Sequence, residues 1–150
     1  MNVSTESILR LPTQHQTALR WFLDHRGKTT PWPNALPDGT LLATRAKGIY
    51  KPAWSEYALS VRQTLEGPYA DREPITRLSG SWVYLYHQEG HLNQGNQIFT
   101  NEALLACLRD RVPIGVMRQV SVTPMVEYGI LGLALVTGWD RGYFVLEGIP

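Results

Sequence analysis

The amino-acid sequence predicts an α+β domain built on a curved or barrel-like sheet with flanking helices. Two segments have the apolar spacing of helices, whereas six others have the alternating or continuously apolar patterns of strands. A length of 150 residues is typical of one domain, and a hydrophobic content of 43% is enough for a core. We therefore predict one domain, with an N-terminal helix and proline-rich loop over residues 1–40 and the barrel over residues 41–150.

Both predicted helices have recognisable ends. The first spans residues 12–25, because Pro12 suits a first helical turn and Gly27 is a typical terminator. The second spans residues 100–111, where the carboxylate of Glu102 favours the first turn.

The strands are predicted from the remaining apolar segments. Residues 28–40 contain several prolines and are predicted as a loop, and residues 66–80 and 88–98 as connections. Residues 138–142, "GWDRG", are predicted as a turn. The predicted strands span residues 41–52 (running into a basic loop), 56–64, 81–87, 113–120, 129–137 and 143–148.

The segment "SWVYLYHQEG" has an aromatic residue at every second position. Trp82, Tyr84 and Tyr86 therefore share one face of the predicted strand. Such a face has two interpretations, an ordinary core or a wall on which a flat ligand stacks. With Asp71 nearby, a pocket for an extruded base is one interpretation of the aromatic residues, since a carboxylate can accept from the amino group of cytosine.

Composition limits the class of protein. The net charge of +1 neither indicates nor excludes nucleic acid, because phosphate contact needs only a local basic patch. No apolar run approaches the roughly 20 residues of a membrane span, and the N-terminus lacks the pattern of a secretion signal. Cys107 is the only cysteine and is predicted to be a buried thiol. These features favour a cytoplasmic location.

The sequence contains no pattern of catalytic residues. The four histidines form no metal-ligand spacing with Cys107, and neither a phosphate-binding loop nor a nucleophile elbow is present. We therefore predict a binding domain with no catalytic residues, no metal and no cofactor.

The order of segments between residues 44 and 148 resembles the SRA (SET- and RING-associated) family of the PUA-like superfold. Within the family, the chain is most similar to the SRA domain of McrA-like, modification-dependent HNH restriction endonucleases. The resemblance implies a curved β-barrel that flips a modified cytosine out of duplex DNA. The segments that carry it are "RAKGIYKPAWSEYALSVRQTLEGPYADRE", "GSWVYLYHQEG", "TNEALLACLRDRVPIGVMRQV" and "YGILGLALVTGWDRGYFVLEG".

The resemblance also implies a pocket for the modified base. Tyr69 and Tyr86 match the two stacking tyrosines, and Asp71 matches the base-reading aspartate in a motif that is one residue shorter here. The better-known readers have small residues after the second tyrosine, where this chain has larger ones. The predicted pocket residues are Tyr69, Asp71, Tyr86, Trp82, His87 and Gln88.

Two loops match those that enter the DNA in this family. They are "TRAKGIYKP" and the Asn- and Gln-rich residues 88–98, and plain solvated loops are the alternative interpretation of both. Arg118 lies on an alternating strand, so a buried ion pair is its alternative role. The residues expected to fill the base gap or contact DNA are Arg45, Ala46, Lys47, Lys51, Asn93, Gln94 and Asn96, and those expected to contact phosphate are Arg72, Arg77 and Arg118.

The hypothesis is a specificity domain that binds double-stranded DNA carrying 5-methylcytosine or 5-hydroxymethylcytosine, with no membrane partner. An origin in a modification-dependent restriction system is expected, with an HNH nuclease domain and a homodimer if the native chain is longer. Two alternatives remain open. One is a PUA-like module that reads another DNA or RNA modification, and the other is a domain with its own base-processing or nuclease activity.

Overall fold

The computed structural model describes residues 5–65, 73–89 and 98–150. Within these ranges the chain forms three helices and eight strands. The helices are α1 (Thr5–Leu9), α2 (Thr13–Asp24) and α3 (Phe99–Asp110). The strands are β1 (Thr29–Thr30), β2 (Ile49–Tyr50), β3 (Ser60–Gln63), β4 (Ile75–Thr76), β5 (Trp82–His87), β6 (Ile114–Ser121), β7 (Glu127–Asp140) and β8 (Tyr143–Gly148).

All eight strands belong to one mixed sheet. Seven follow one another in the order β2-β3-β6-β7-β8-β5-β4, and β1 pairs with β7 beside this path. The β3 and β6 strands are parallel, and the other neighbours are antiparallel. The prediction of an α+β fold is confirmed. Within the described ranges the two ends of the path, β2 and β4, do not pair with each other, so the sheet is barrel-like only in a loose sense.

The α2 helix covers the centre of this sheet. Its buried residues are His15, Ala18, Leu19 and Phe22, whose spacing of three and four places them on one face. The ring of Phe22 lies directly against Gly115 of β6, where a Cβ atom would overlap it. A glycine at position 115 is therefore what lets the helix approach the sheet.

The α3 helix is capped by Arg111, which has the left-handed φ of 56° and donates its backbone N–H to Cys107 O. The apolar face of the helix buries Ala103, Leu104 and Cys107. The prediction that Cys107 is buried is thus confirmed, and this burial raises the pKa of its thiol to about 12.

The predicted strand over residues 41–52 was wrong in extent, since only Ile49–Tyr50 pair as a strand. Leu42 is nevertheless buried, and its carbonyl accepts a hydrogen bond of 2.7 Å from the hydroxyl of Ser60. The Ser60 side chain thus supplies the hydrogen bond that the buried backbone carbonyl of Leu42 would otherwise receive from a neighbouring strand. Two short strands, β1 and β4, lie in segments predicted as loops.

The hairpin between β7 and β8 is tighter than the predicted turn over residues 138–142. The β7 strand continues to Asp140, and the turn consists of Arg141 and Gly142, whose φ values are 51° and 91°. Positive φ at both positions is the requirement of a two-residue hairpin turn. Among the described residues, no helix has the length and apolar character needed to cross a membrane.

Candidate nucleic-acid interface

The aromatic face of β5 divides into separate environments. Tyr84 is 2% exposed and Tyr86 is 9% exposed, and their ring centroids are 6.4 Å apart. Both rings belong to the hydrophobic core, and Tyr86, near the end of the strand, is the more exposed of the two.

The hydroxyl of Tyr86 is held by the backbone of β3 and of the loop before β2. It donates a hydrogen bond of 3.3 Å to Arg62 O and lies against Gly48, where a Cβ atom would overlap it. Burial raises the pKa of Tyr86 above its usual range, the charge of Glu89 acts in the same direction, and that of Arg62 opposes it. The hydroxyl is therefore a neutral donor with a fixed direction.

The guanidinium group of Arg62 organises the basic loop over residues 44–47. Its Nη2 lies 3.2 Å from Thr44 O, 3.4 Å from Arg45 O and 3.4 Å from Lys47 O. Three carbonyls of one short loop thus converge on one cation, and hydrogen bonds of this charge-assisted kind are stronger than neutral ones.

Trp32 also supports this loop. The guanidinium of Arg45 lies 4.2 Å from the centroid of the Trp32 ring, and that of Arg62 lies 5.4 Å from it. The Trp32 ring in turn packs edge-on against Tyr128 of β7 at 5.5 Å. The loop is therefore fixed to the sheet through cation–π contacts and presents positive charge next to Tyr86.

The start of α3 lies beside this loop. The Nζ of Lys47 is 4.5 Å from the centroid of the Phe99 ring, which is 52% exposed. The side chain of Asn101 joins this helix to the end of β5, because its Oδ1 accepts from Glu89 N at 2.9 Å and its Nδ2 donates to Glu89 O at 2.8 Å. Tyr86, the basic loop and the start of α3 together form a corner of the molecule, which we call the Tyr86 corner.

The residues after Tyr86 differ in what their side chains contact. His87 places Nδ1 2.6 Å from Gln88 O and packs edge-on against Tyr143 at 4.9 Å. Gln88 is 1% exposed, and its Oε1 accepts from Trp139 Nε1 at 2.8 Å. The Oε1 atom of Glu89 is buried and has no hydrogen-bond partner in the described part of the chain.

Trp82 lies at the opposite end of β5 from Tyr86. It lines a cleft of about 560 Å³ together with Arg26 and Ile149, and its indole lies directly against Gly148. Four residues along a strand separate two side chains by roughly 13 Å. The structure therefore does not bring Trp82 to the Tyr86 corner, although the two residues share a face.

The predicted cationic residues are distributed over several parts of the surface. Arg77 forms an ion pair of 2.9 Å with Glu147 near the Trp82 end of the sheet. Arg118 donates from Nε to Gln63 Oε1 at 2.9 Å and lies 6.0 Å from the centroid of the Tyr84 ring. Lys51 donates to Pro52 O at 3.2 Å. Among the predicted DNA contacts, Arg45, Ala46 and Lys47 lie in the loop beside Tyr86.

Six predicted site residues lie outside the described residues. They are Tyr69, Asp71, Arg72, Asn93, Gln94 and Asn96.

A second group of charges lies away from the Tyr86 corner, in a cleft of about 410 Å³ between α1 and α3. Tyr57 donates a hydrogen bond of 2.6 Å to Asp110, which also accepts from Arg109. These bonds hold the pKa of Asp110 well below its usual range, and the same carboxylate raises the pKa of Tyr57 to about 12. The charged groups here satisfy one another and join α3 to the segment that precedes β3.

Sequence reasoning did not assign several residues of the Tyr86 corner. Arg62, Trp32 and Phe99 were not selected, because their contacts are with carbonyls and cations from distant segments. The sequence did offer an indication for Gly48, since a glycine in a basic loop before a strand indicates that another group packs closely against the backbone there. In the described part of the chain no group of three or more His, Cys, Asp or Glu side chains could hold a metal ion.

Comparison with known proteins identifies similar structures. The chain is similar to the SRA domain of SUVH5 in complex with fully methylated CG DNA, with 22% identity, 69% of this chain and 74% of that chain covered, and a TM-score of 0.44. It is also similar to the SUVH5 SRA domain with methylated CHH DNA (23% identity, the same coverage, TM-score 0.43). A third is KRYPTONITE in complex with mCHH DNA, an H3(1–15) peptide and SAH, with 20% identity, 68% of this chain and 26% of that chain covered, and a TM-score of 0.39.

No protein-family model matches the chain, and no curated protein matches it either. The chain is thus an α+β domain that is similar to SRA domains solved with methylated DNA.

Proposed function

We propose that this chain recognises 5-modified cytosine in duplex DNA by flipping the base into a pocket at the Tyr86 corner. The observation that carries the proposal is the arrangement of a buried, oriented tyrosine next to a fixed loop that bears Arg45 and Lys47. A flipped base needs an aromatic wall, and the DNA that surrounds it needs cations for its phosphates. Both are adjacent here.

The energies involved are compatible with this role. Extrusion of a base costs a few kcal/mol, and stacking on an aromatic ring returns about 1–3 kcal/mol. In the proposal Tyr86 supplies one stacking face, and the resemblance assigns the second face to Tyr69 and the base edge to Asp71. Arg45, Ala46 and Lys47 then lie where a side chain enters the gap, because Arg62 holds their loop against the pocket wall.

The wider setting is also part of the proposal. A specificity domain of this kind fits a modification-dependent restriction system, in which a separate HNH nuclease domain would cut the DNA and two copies would act as a dimer. In this view the chain described here binds and does not cleave, and it acts in the cytoplasm.

The test is a titration of the chain with duplexes that differ only in one cytosine, plain or 5-modified, followed by fluorescence anisotropy at fixed salt. We expect tighter binding to the modified duplexes and a loss of this preference in Tyr86→Ala. Tyr86→Phe removes only the hydroxyl and keeps a stacking face, so it should keep most of the preference. The matched control is Tyr57→Ala, which truncates a tyrosine in the separate cleft of Asp110.

Three outcomes would contradict the proposal. Equal affinity for plain and modified duplexes would show that the chain does not recognise the modification. Preferential binding of RNA in the same titration favours a module for another modification. Strand cleavage or base release during incubation with modified DNA and Mg²⁺ favours an enzymatic activity.

A further inference from the structure

The Tyr86 corner contains an unusual concentration of unsatisfied polar atoms. In the described part of the chain, four side chains have buried nitrogen or oxygen atoms without a hydrogen-bond partner: His15, Arg62, Glu89 and Thr100. Three of these four belong to the Tyr86 corner. The carbonyl of Arg62 accepts from the Tyr86 hydroxyl, the charge of Glu89 acts on that hydroxyl, and Thr100 lies at the start of α3, next in sequence to the asparagine that is bonded to Glu89.

Such a cluster indicates a binding site, because buried polar groups are paired in the great majority of cases. An unpaired buried group costs about 1–3 kcal/mol, and more when it is charged. A ligand that supplies the missing partners removes this cost.

Among the three residues that follow Tyr86, Glu89 is the one whose side chain has a buried oxygen without a hydrogen-bond partner in the described part of the chain. His87 packs on Tyr143, and Gln88 accepts from Trp139 in a fully buried position. The contact between Glu89 and Asn101 uses only the backbone N–H and C=O of Glu89, and these two hydrogen bonds fix the position of the Glu89 backbone, from which the carboxylate extends. The buried Oε1 is therefore a positioned acceptor without a donor.

We propose that Glu89 selects the 5-substituent of the flipped cytosine and that the preferred substituent carries a hydrogen-bond donor, as 5-hydroxymethylcytosine does. This inference rests on the proposed function. An ionised carboxylate can only accept, so the hydroxyl of a hydroxymethyl group satisfies it. A methyl group in the same place excludes water and leaves the oxygen unpaired.

The same carboxylate acts against an anionic substituent. A 5-carboxylcytosine brings a second negative charge next to Glu89, and like charges at close range repel strongly where water is excluded. The expected order of affinity is therefore hydroxymethyl, then methyl, then carboxyl.

The experiment uses the whole chain and four duplexes of one sequence, whose single variable cytosine is plain, 5-methyl, 5-hydroxymethyl or 5-carboxyl. Affinities are measured by fluorescence anisotropy at fixed salt and pH 7.5. The wild type should bind the hydroxymethyl duplex about tenfold more tightly than the methyl duplex, since one buried charged acceptor gains its partner.

Two variants separate the role of the carboxylate from general effects. Glu89→Ala should bring the ratio of hydroxymethyl to methyl affinity to about one, because the acceptor is gone. Glu89→Gln should keep an acceptor but remove the repulsion, so the 5-carboxyl duplex should gain affinity relative to the other three. Asp24→Asn is the matched control, because Asp24 is an exposed carboxylate at the end of α2, outside the Tyr86 corner, and its loss changes the net charge equally. Its ratios should equal those of the wild type.

The inference is overturned if the wild type binds the methyl duplex as tightly as the hydroxymethyl duplex, or if Glu89→Ala keeps the preference. If Glu89→Ala does not fold, an unchanged rank of the 5-carboxyl duplex in Glu89→Gln overturns it. These outcomes differ from a failure of the proposed function, in which the plain duplex is bound as tightly as every modified one.

Discussion

The hydroxyl of Tyr86 lies so close to Gly48 that a Cβ atom at position 48 would overlap it. The same glycine accepts a hydrogen bond of 2.8 Å from Arg62 N through its carbonyl, and Tyr86 donates to the carbonyl of Arg62. The aromatic wall and the basic loop are therefore in direct contact, so a change in the position of one is transmitted to the other.

Gly48→Ala should displace the Tyr86 ring or the loop, because the added methyl group has no space. We expect a decrease of about 1–3 kcal/mol in the free energy of unfolding, as for other overpacked sites, together with weaker binding of modified duplexes. Urea denaturation and the duplex titration measure the two effects. Gly138→Ala is the control, since its Cβ would be 3.7 Å from Val145, an ordinary contact. An unchanged stability in Gly48→Ala would show that the ring and loop separate easily.

Arg62→Lys should loosen the basic loop while keeping the charge. A lysine cannot reproduce the planar guanidinium that contacts three carbonyls and the Trp32 ring, so the loop loses its central support. We expect at least tenfold faster amide hydrogen exchange in peptides that cover residues 44–48, measured by mass spectrometry.

The matched control for that substitution is Arg26→Lys, which alters an arginine at the opposite cleft, where its Nη1 donates to Ile149 O at 3.4 Å. Exchange over residues 44–48 should stay at the wild-type rate in this control. If the amides of residues 44–48 stay protected from exchange in Arg62→Lys, the cation–π contact of Arg45 alone is sufficient to hold the loop.

Lys47→Ala should weaken binding to all duplexes by a similar factor. Lys47 lies beside the exposed Phe99 ring at the Tyr86 corner, where a phosphate of bound DNA would be its partner. Loss of one phosphate contact lowers the slope of log affinity against log salt by about one, and the preference for modified cytosine should stay unchanged. Arg20→Ala on α2, whose side chain is 74% exposed, is the control that should leave the slope at its wild-type value. If the salt slope of Lys47→Ala equals that of the wild type, Lys47 does not contact a phosphate of the bound DNA.

The sequence was sufficient for α2, α3 and the long strands because their periodicity reflects burial on one face, whereas the five-residue helix α1 was not predicted. The spacing of Ala18, Leu19 and Phe22 predicted α2, and the apolar run over residues 129–137 predicted most of β7. Strands of two residues, such as β1 and β4, have no periodicity to detect, so they were predicted as loops.

The candidate site was less predictable, because alternation identifies the face of a strand and not the position along it. Trp82 and Tyr86 share a face, yet Trp82 lines a cleft with Arg26 at the far end. The role of Arg62 depends on carbonyls from residues 44–47, and no side-chain pattern predicts such partners. The unpaired oxygen of Glu89 likewise becomes visible only when its neighbours are placed.

The stability of the fold should depend on pH through His15. This side chain of α2 is fully buried, packs edge-on against Trp54 at 5.6 Å, and has no hydrogen-bond partner for either ring nitrogen among the described residues. Burial lowers the pKa of His15 from 6.5 to about 4, because the charged form is excluded from the apolar interior.

The sign follows from proton binding in the two states. Between pH 6.5 and 4 the unfolded chain binds a proton at His15 and the folded chain does not, so stability is fully present above pH 6.5 and is lost as the pH falls through this window. The full loss is about 3 kcal/mol. His15→Leu should abolish this part of the pH dependence in urea denaturation between pH 7 and 4. The same slope in wild type and His15→Leu would mean that His15 becomes hydrated when it is protonated and does not oppose folding.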